Sequence, residues 1–304
     1  MRNALTIDLE DYYHVSAFKD QIATAQWNSQ ESRIEYTTNL LLDLLDETGC
    51  KATFFTLGWV VENRPRVVRQ VADRGHEIAC HSLRHRTVYE MTPEEFREDT
   101  RIAKQLLEDS AGAVVHGYRA PSFSITAKSL WAFEVLAELG FTYDSSIFPI
   151  RHPNYGMPHM IRTPFQVLTD AGSITEFPMP TLLLGDMRAP IGGGAYFRFL
   201  PYGYTKWAIQ FINRHENRQC CVYLHPWELD PQQPRMHGSL TSRIRHYVGL
   251  RNTPIKFRKL LRDFEFQPMS VLIEQIKNGD SCSLAPTEFP RFTLAQLMPQ
   301  TARS

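Results

Sequence analysis

Side chains able to do acid–base or metal chemistry cluster at a few points in this 304-residue chain. Apolar runs with strand character end in Asp8-Leu9-Glu10-Asp11, His81-Ser82-Leu83-Arg84-His85, Arg119-Ala120-Pro121, Asp144-Ser145-Ser146 and His225-Pro226-Trp227-Glu228. His81 and His85 are four apart, which on a helical turn puts both imidazoles on one face as a metal pair. The same spacing also arises from two unrelated histidines. Asp8 and Asp11 are three apart. One could bind a metal while the other stays free as a base, or both could serve a helix N-terminus. Two histidines and one carboxylate leave room for water, as a catalytic metal site requires. His225 reads either as a satisfied buried histidine or as a proton donor beside Trp227. Arg119 reads either as a surface ion pair or as a buried cation holding a catalytic carboxylate ionised.

Those residues need elements to bring them together. Apolar, β-branched and aromatic runs at 3–8, 52–57, 76–80, 114–118, 141–144, 174–179 and 220–224 predict about seven strands. Between them, helical spacing appears at 36–47, 64–74, 92–109, 126–139 and 204–215, with Thr92-Pro93-Glu94-Glu95 reading as a capping box. Alternating β and α elements predict an α/β fold with a parallel sheet, open or closed into a barrel. In such folds function collects at the C-terminal ends of strands, where the residues above lie. The stretch 149–164 reads as a long surface excursion and Gly192-Gly193-Gly194 as flexible. Residues 239–262 and 269–277 read as basic and helical. Residues 1–278 are expected to form the domain, with 279–304 as a loosely ordered tail.

Composition excludes several classes. Lys plus Arg and Asp plus Glu both number 33, so no global charge points to nucleic acid. Five cysteines, mostly within apolar runs, favour reduced core thiols over a disulfide scaffold. The first residues lack the features of a secretory signal, and no apolar run is long enough to span a membrane. A cytoplasmic protein is expected.

The ordered set Asp8/Asp11, His81-Ser82-x-x-His85, Arg119-x-Pro121, Asp144 and Leu224-His225 resembles the polysaccharide deacetylases, the NodB-homology group or carbohydrate esterase family 4. The resemblance covers roughly residues 3–228. The segments from Thr6 to His14 and from His225 to Asp230 resemble the branch found in exosortase-associated exopolysaccharide loci. Residues 150–278 resemble that branch's C-terminal half.

The resemblance implies a distorted (β/α) barrel and metal-dependent amide hydrolysis of an N-acetylated carbohydrate. It implies Asp8 as general base, His81 and His85 as metal ligands, and Arg119 as the partner of the base. It implies His225 as general acid and Asp144 as the acid that tunes it. The metal implied is zinc, with cobalt, nickel or manganese as alternatives. Leu9 stands where the family has a second aspartate, so the third ligand is Asp11 or Glu10. Asp11 is preferred as the shorter carboxylate. Ser122 replaces the usual aromatic residue after the proline and is expected to offer its N–H to an oxyanion. Phe123 and Trp227 are expected to wall the sugar groove. The expected activity is removal of acetyl groups from amino sugars of an exopolysaccharide or its precursor. Hydrolysis of cyclic imides or other small amides, and non-catalytic glycan binding, are the alternatives. Nothing in the sequence sets an oligomeric state.

Overall fold

The seven apolar runs all become strands, and all seven pair in parallel. The computed structural model describes residues 1–19, 21–152, 154–279 and 289–299. Its strands are β1 (Asn3–Leu9), β2 (Thr53–Thr56), β3 (Glu77–Cys80), β4 (Gly117–Tyr118), β5 (Tyr143–Asp144) and β6 (Phe165–Thr169). They continue with β7 (Gly172–Glu176), β8 (Thr181–Leu184), β9 (Met187–Pro190), β10 (Cys221–Leu224), β11 (Phe266–Gln267) and β12 (Arg291–Thr293). Neighbours run β10-β1-β2-β3-β4-β5-β7, parallel throughout. Sequence-distant β1 and β10 therefore lie side by side, with Ile7 opposite Leu224. The turn residues and apolar spacing produce helices α1 (Ile34–Asp46), α2 (Gly58–Asn63), α3 (Pro65–Asp73), α4 (Pro93–Ala111), α5 (Ala132–Glu138) and α6 (Gly194–Phe199). After them come α7 (Tyr202–His215), α8 (Leu240–Tyr247), α9 (Thr253–Asp263), α10 (Met269–Asn278) and α11 (Leu294–Leu297).

Period-two alternation sorts each strand between two cores. On β1, Leu5, Ile7 and Leu9 face the large core shared with the surrounding helices. Ala4 belongs to a second cluster with Phe55, Ala79, Cys221, Tyr223 and the apolar face of α10. That inner face continues through Thr6 and Asp8. Helix α10 plugs one mouth of the barrel, its first turn held where Met269 N donates to Thr53 Oγ1 at 2.7 Å and Ser270 N to Glu77 Oε2 at 3.2 Å. Polar inward residues are left for the opposite mouth.

Several elements depart from the sequence-based expectation. The excursion 149–164 has no regular element, yet Ile150, Tyr155, Met157 and Met160 are buried. The basic stretch 239–262 is two helices, α8 and α9, broken where Gly249 takes φ +76°. Residues 291–297 are not a loose tail. β12 pairs with β6, which is itself antiparallel to β7, and Leu297 is buried. The rest of the expected tail, 280–288 with Cys282 and 300–304, lies outside the described residues. The Gly192–Gly194 segment is not slack either. Tyr223 N donates to Gly192 O at 2.7 Å, and Gly193 bridges β10 with φ +143°. A Cβ on Gly193 would sit 1.9 Å from the Tyr223 carbonyl oxygen. Gly193→Ala is therefore expected to cost about 3 kcal/mol or more and to lower the melting temperature by roughly 6 °C or more. An unchanged thermal unfolding curve would refute this close approach.

Candidate active site

Because β1 alternates, Asp8 and Glu10 leave the strand on the barrel's inner side, while Leu9 packs outward into the large core. Asp8 is buried against Arg119, whose Nη1 donates to Asp8 Oδ1 at 2.7 Å and to Thr6 Oγ1 at 2.8 Å. The rest of the guanidinium donates to Ser145 O and Ser145 Oγ, both at 3.1 Å, and lies 4.1 Å from the Phe55 ring centroid. Arg119 is fully buried. Burial alone would lower its pKa, but the Asp8 charge and the Cys221 sulfur outweigh that and raise it. This is the buried-cation reading of Arg119, with every donor direction filled.

His81 closes β3, and its Nδ1 lies 2.7 Å from the Arg119 carbonyl oxygen. A neutral ring bonded this way donates from Nδ1 and turns Nε2 into the cleft. Burial pulls its pKa down to about 4, which keeps the ring neutral. The spacing to His85 works without a helix. Ser82 and His85 both take left-handed φ, +67° and +55°. Ser82 Oγ accepts from His85 N at 3.0 Å and Asp99 Oδ2 from Leu83 N at 2.9 Å. This tight loop brings the two rings to 5.5 Å between centroids.

Glu10, not Asp11, stands with the two histidines. One ligand atom from each of Glu10, His81 and His85 lies within 4.8 Å of the others, the only such group of three among the described residues. The Asp11 carboxylate turns the other way. Its Oδ2 accepts from Ser32 Oγ at 2.8 Å, Arg33 N at 2.9 Å and Ile34 N at 3.1 Å, so it caps the start of α1. Burial raises its pKa to about 6 despite those hydrogen bonds.

The donor set suits a divalent ion of the zinc type, with two imidazole nitrogens and one carboxylate. Glu10 Oε2 is buried and lies 3.0 Å from His85 Nε2. A carboxylate and an imidazole brought together out of water are what a shared cation would join. Burial would raise the Glu10 carboxyl. The imidazoles of His85, His225 and His81 outweigh it and hold the group well below the usual carboxylate range, so it favours positive charge on that side.

His225, just past β10, faces the same acids, with Nε2 3.4 Å from Glu10 Oε1 and 3.9 Å from Asp8 Oδ2. Burial lowers its pKa, while Glu10 and Asp8 pull the other way. The acid at its other nitrogen is Glu228 rather than Asp144. Glu228 Oε2 accepts from His225 N at 2.9 Å and lies 3.2 Å from His225 Nδ1. The cause is local: Pro226–Leu229 forms a 3₁₀ turn, and a glutamate at its third position reaches back to the residue that starts it. Glu228 is buried and ion-paired to buried Arg198 of α6. Asp144 instead accepts from Ser146 N at 2.9 Å and Ser146 Oγ at 2.7 Å, and shares a hydrogen bond with Glu176. Ser146 Oγ in turn accepts from Ala120 N at 2.8 Å. Asp144 thus braces the loop carrying Arg119 and makes no contact with His225. In this buried pair Glu176 holds the proton, pushed well above its usual range by burial and the Asp144 charge.

Asp8, Glu10, His81, His85, Ser122, Phe123, His225 and Trp227 all line one cleft of about 460 Å³. Ser122 sits there with φ +54°, its Oγ 2.6 Å from Ser16 Oγ. Phe123 packs edge-on against Phe148 and Tyr223 and forms floor rather than wall. Trp227 is 3% exposed and stacked on His225 and His246, so it supports the histidine and has no open face for a sugar. Sequence reasoning missed Glu228 and Arg198. The Pro at the first position and Glu at the third position after His225 were a usable signal for the former. Arg198 had none.

Comparison with known proteins agrees with this architecture. Residues 28–143 match the family described as polysaccharide deacetylase, and residues 145–274 match a domain of unknown function, DUF3473. A peptidoglycan-N-acetylglucosamine deacetylase of Bacillus cereus is 32% identical over 102 residues, 33% of this chain and 37% of that protein. A chitooligosaccharide deacetylase of a Bradyrhizobium species is 29% identical over 103 residues, 34% of this chain and 44% of that protein. The chain thus matches less than half the length of either relative. A crystal structure from Mycobacterium smegmatis, described as a polysaccharide deacetylase, superposes with a TM-score of 0.60. That match covers 96% of this chain and 93% of the other at 18% identity, and shows a shared fold. The chain thus carries a match to the polysaccharide deacetylase domain in its N-terminal half and a match to DUF3473 in its C-terminal half.

Proposed function

We propose that this protein hydrolyses the acetamide of N-acetylated amino sugars in a polysaccharide or its precursor. The observation carrying this reading is the convergence of Glu10, His81 and His85 beside the Arg119-paired Asp8, with His225 facing them. The relatives named for deacetylating peptidoglycan and chitooligosaccharides support it. Glu10, His81 and His85 would hold the divalent ion, most simply zinc. Such an ion supplies a Lewis acid that polarises a carbonyl and makes water more acidic.

The chain's own groups then divide the work. Asp8 is free of the ligand set and accepts the proton of the attacking water. The ion pair with Arg119 offsets the cost of burying its charge and fixes which oxygen faces the cleft. His225 delivers a proton to the departing nitrogen. Burial leaves that imidazole neutral at rest, so the proton taken up by Asp8, 3.9 Å away, is its nearest source. Glu228 fixes the ring through Nδ1 and stabilises it once charged, as a base-orienting carboxylate does. The backbone around Ser122 supplies the oxyanion donor, a contribution typically of about 3 kcal/mol.

Acetate release from an N-acetylglucosamine oligomer tests the activity. Asp8→Asn is expected to lower kcat by about a hundredfold or more while zinc stays bound; wild-type turnover would refute the base assignment. Glu10→Gln should weaken zinc binding more than about 100-fold, since loss of even an outer partner costs 10- to 100-fold. Asp11→Asn should leave zinc binding intact and cost about 1–2 kcal/mol of stability as a lost cap. Calorimetric zinc titration of both variants decides between the two acids. Glu228→Gln should lower kcat roughly tenfold at unchanged KM. A change confined to KM would exclude the orienting role.

A further inference from the structure

We propose that the catalytic cleft opens into a hydrocarbon-binding groove, so that the sugar processed here is carried on a phosphate-linked lipid. This names the substrate class of the site described above and rests on that reading. A second cavity of about 420 Å³ lies between α6 and α8, lined by Ala195, Tyr196, Phe199, Leu200, Thr241 and Ile244, with His152 and Arg245. Five of these residues, His152, Ala195, Tyr196, Thr241 and Arg245, also line the catalytic cleft, so the two spaces adjoin.

The chemistry changes along the groove. Its far end is aliphatic and aromatic. Phe199 and Ile244 are each 49% exposed, though they neighbour a packed core. The lining holds no amide and no carboxylate, and its far end, Phe199, Leu200 and Ile244, offers a sugar hydroxyl no side-chain partner. At the junction stands Arg245. Among the described residues it pairs with no carboxylate, and its guanidinium reaches Tyr155 Oη at 3.4 Å. An apolar channel meeting an unpaired guanidinium matches a chain joined to its sugar through phosphate.

The surroundings point the same way. Residues 231–262 contain eight Lys and Arg and no Asp or Glu, in a chain whose formal net charge is zero. That run supplies the α8 wall of the groove, and its charge suits an anionic headgroup layer. The walls are built, not incidental. Arg198 Nη2 donates to Arg245 O at 2.7 Å, and Lys256 Nζ holds the Arg198 and Leu200 carbonyls at 2.8 Å. These bonds fix α6 against the α8 region, and the apolar gap remains.

A series of n-alkyl phosphates from butyl to dodecyl, kept below self-association, tests the groove by calorimetry on the full chain. Affinity should rise about fourfold per buried methylene, then level off once the groove is filled. Alkyl glucosides of equal chain length should bind about tenfold more weakly, for want of the charge-assisted contact. Ile244→Asp should abolish the chain-length dependence, and Phe199→Ala, a second half-exposed position, should flatten it. Arg245→Gln should weaken every phosphate by about tenfold without changing the slope. A flat series in the wild type, or an unchanged slope in Ile244→Asp, overturns the proposal. Acetate release from a soluble N-acetylglucosamine oligomer is measured in parallel. Release with a flat series overturns the groove alone. A sloped series with no acetate release from either the oligomer or an alkyl-phosphate-linked N-acetylglucosamine supports the groove while removing the deacetylase reading.

Discussion

The structure turns on a guanidinium buried among acids. Arg119 has no access to water, and the carboxylate it holds keeps only about 5% of its surface open, toward the cleft. Removing one partner of such a pair leaves an uncompensated charge inside the barrel, at a cost of about 3–5 kcal/mol. The surroundings are arranged so that this does not happen. Thr6, Ser145 and the Phe55 face satisfy the rest of the cation, and Asp144 and Ser146 hold the backbone that carries it. The same carbonyl that closes Arg119 orients His81. One buried cation thus ties together the positions of Asp8 and His81, and a shift in it would disturb both.

Much of this was legible in the chain, for a physical reason. Strands in a parallel sheet read as short apolar runs whose polar ends mark one mouth of the barrel. Seven such runs and their terminal residues located the site. Asp11 is preferred over Glu10 for the length of its side chain, whereas the two-residue alternation of a strand decides which acid turns inward. Alternation puts Asp8 and Glu10 on one face and sends Asp11 to the start of α1, more than twenty residues further on, a contact that no local pattern encodes. Asp144 was misplaced because strand order brings β5 behind Arg119 rather than beside β10. The acid that does meet His225 was three residues from it, in a turn whose capping geometry the sequence spelled out.

Two family profiles divide the chain near residue 144, yet no boundary exists in the site. Asp8 and Glu10 precede the first match. His81, His85 and Arg119 fall within it, and His225, Glu228 and Arg198 within the second. The reason is β10. A strand from the C-terminal half lies directly beside β1, and Tyr223 of that strand takes up Gly192 on its free side. The late strand β10 extends the sheet past β1, so the C-terminal half continues the sheet rather than decorating it.

That placement of β10 also explains why the C-terminal half supplies both His225 and the groove. The turn at Gly193 launches α6 immediately above β10, and Arg198 lies one and a half turns along it. From there its guanidinium pairs with Glu228 and lies 5.0 Å from the Trp227 ring, while donating to the carbonyl of Arg245. The helix that forms one wall of the apolar groove is therefore the helix that neutralises the carboxylate behind His225. A buried Glu228 without Arg198 would be a second uncompensated charge, and α6 cannot move away from β10 without creating it. The groove wall is held in place by the electrostatics of the site it adjoins.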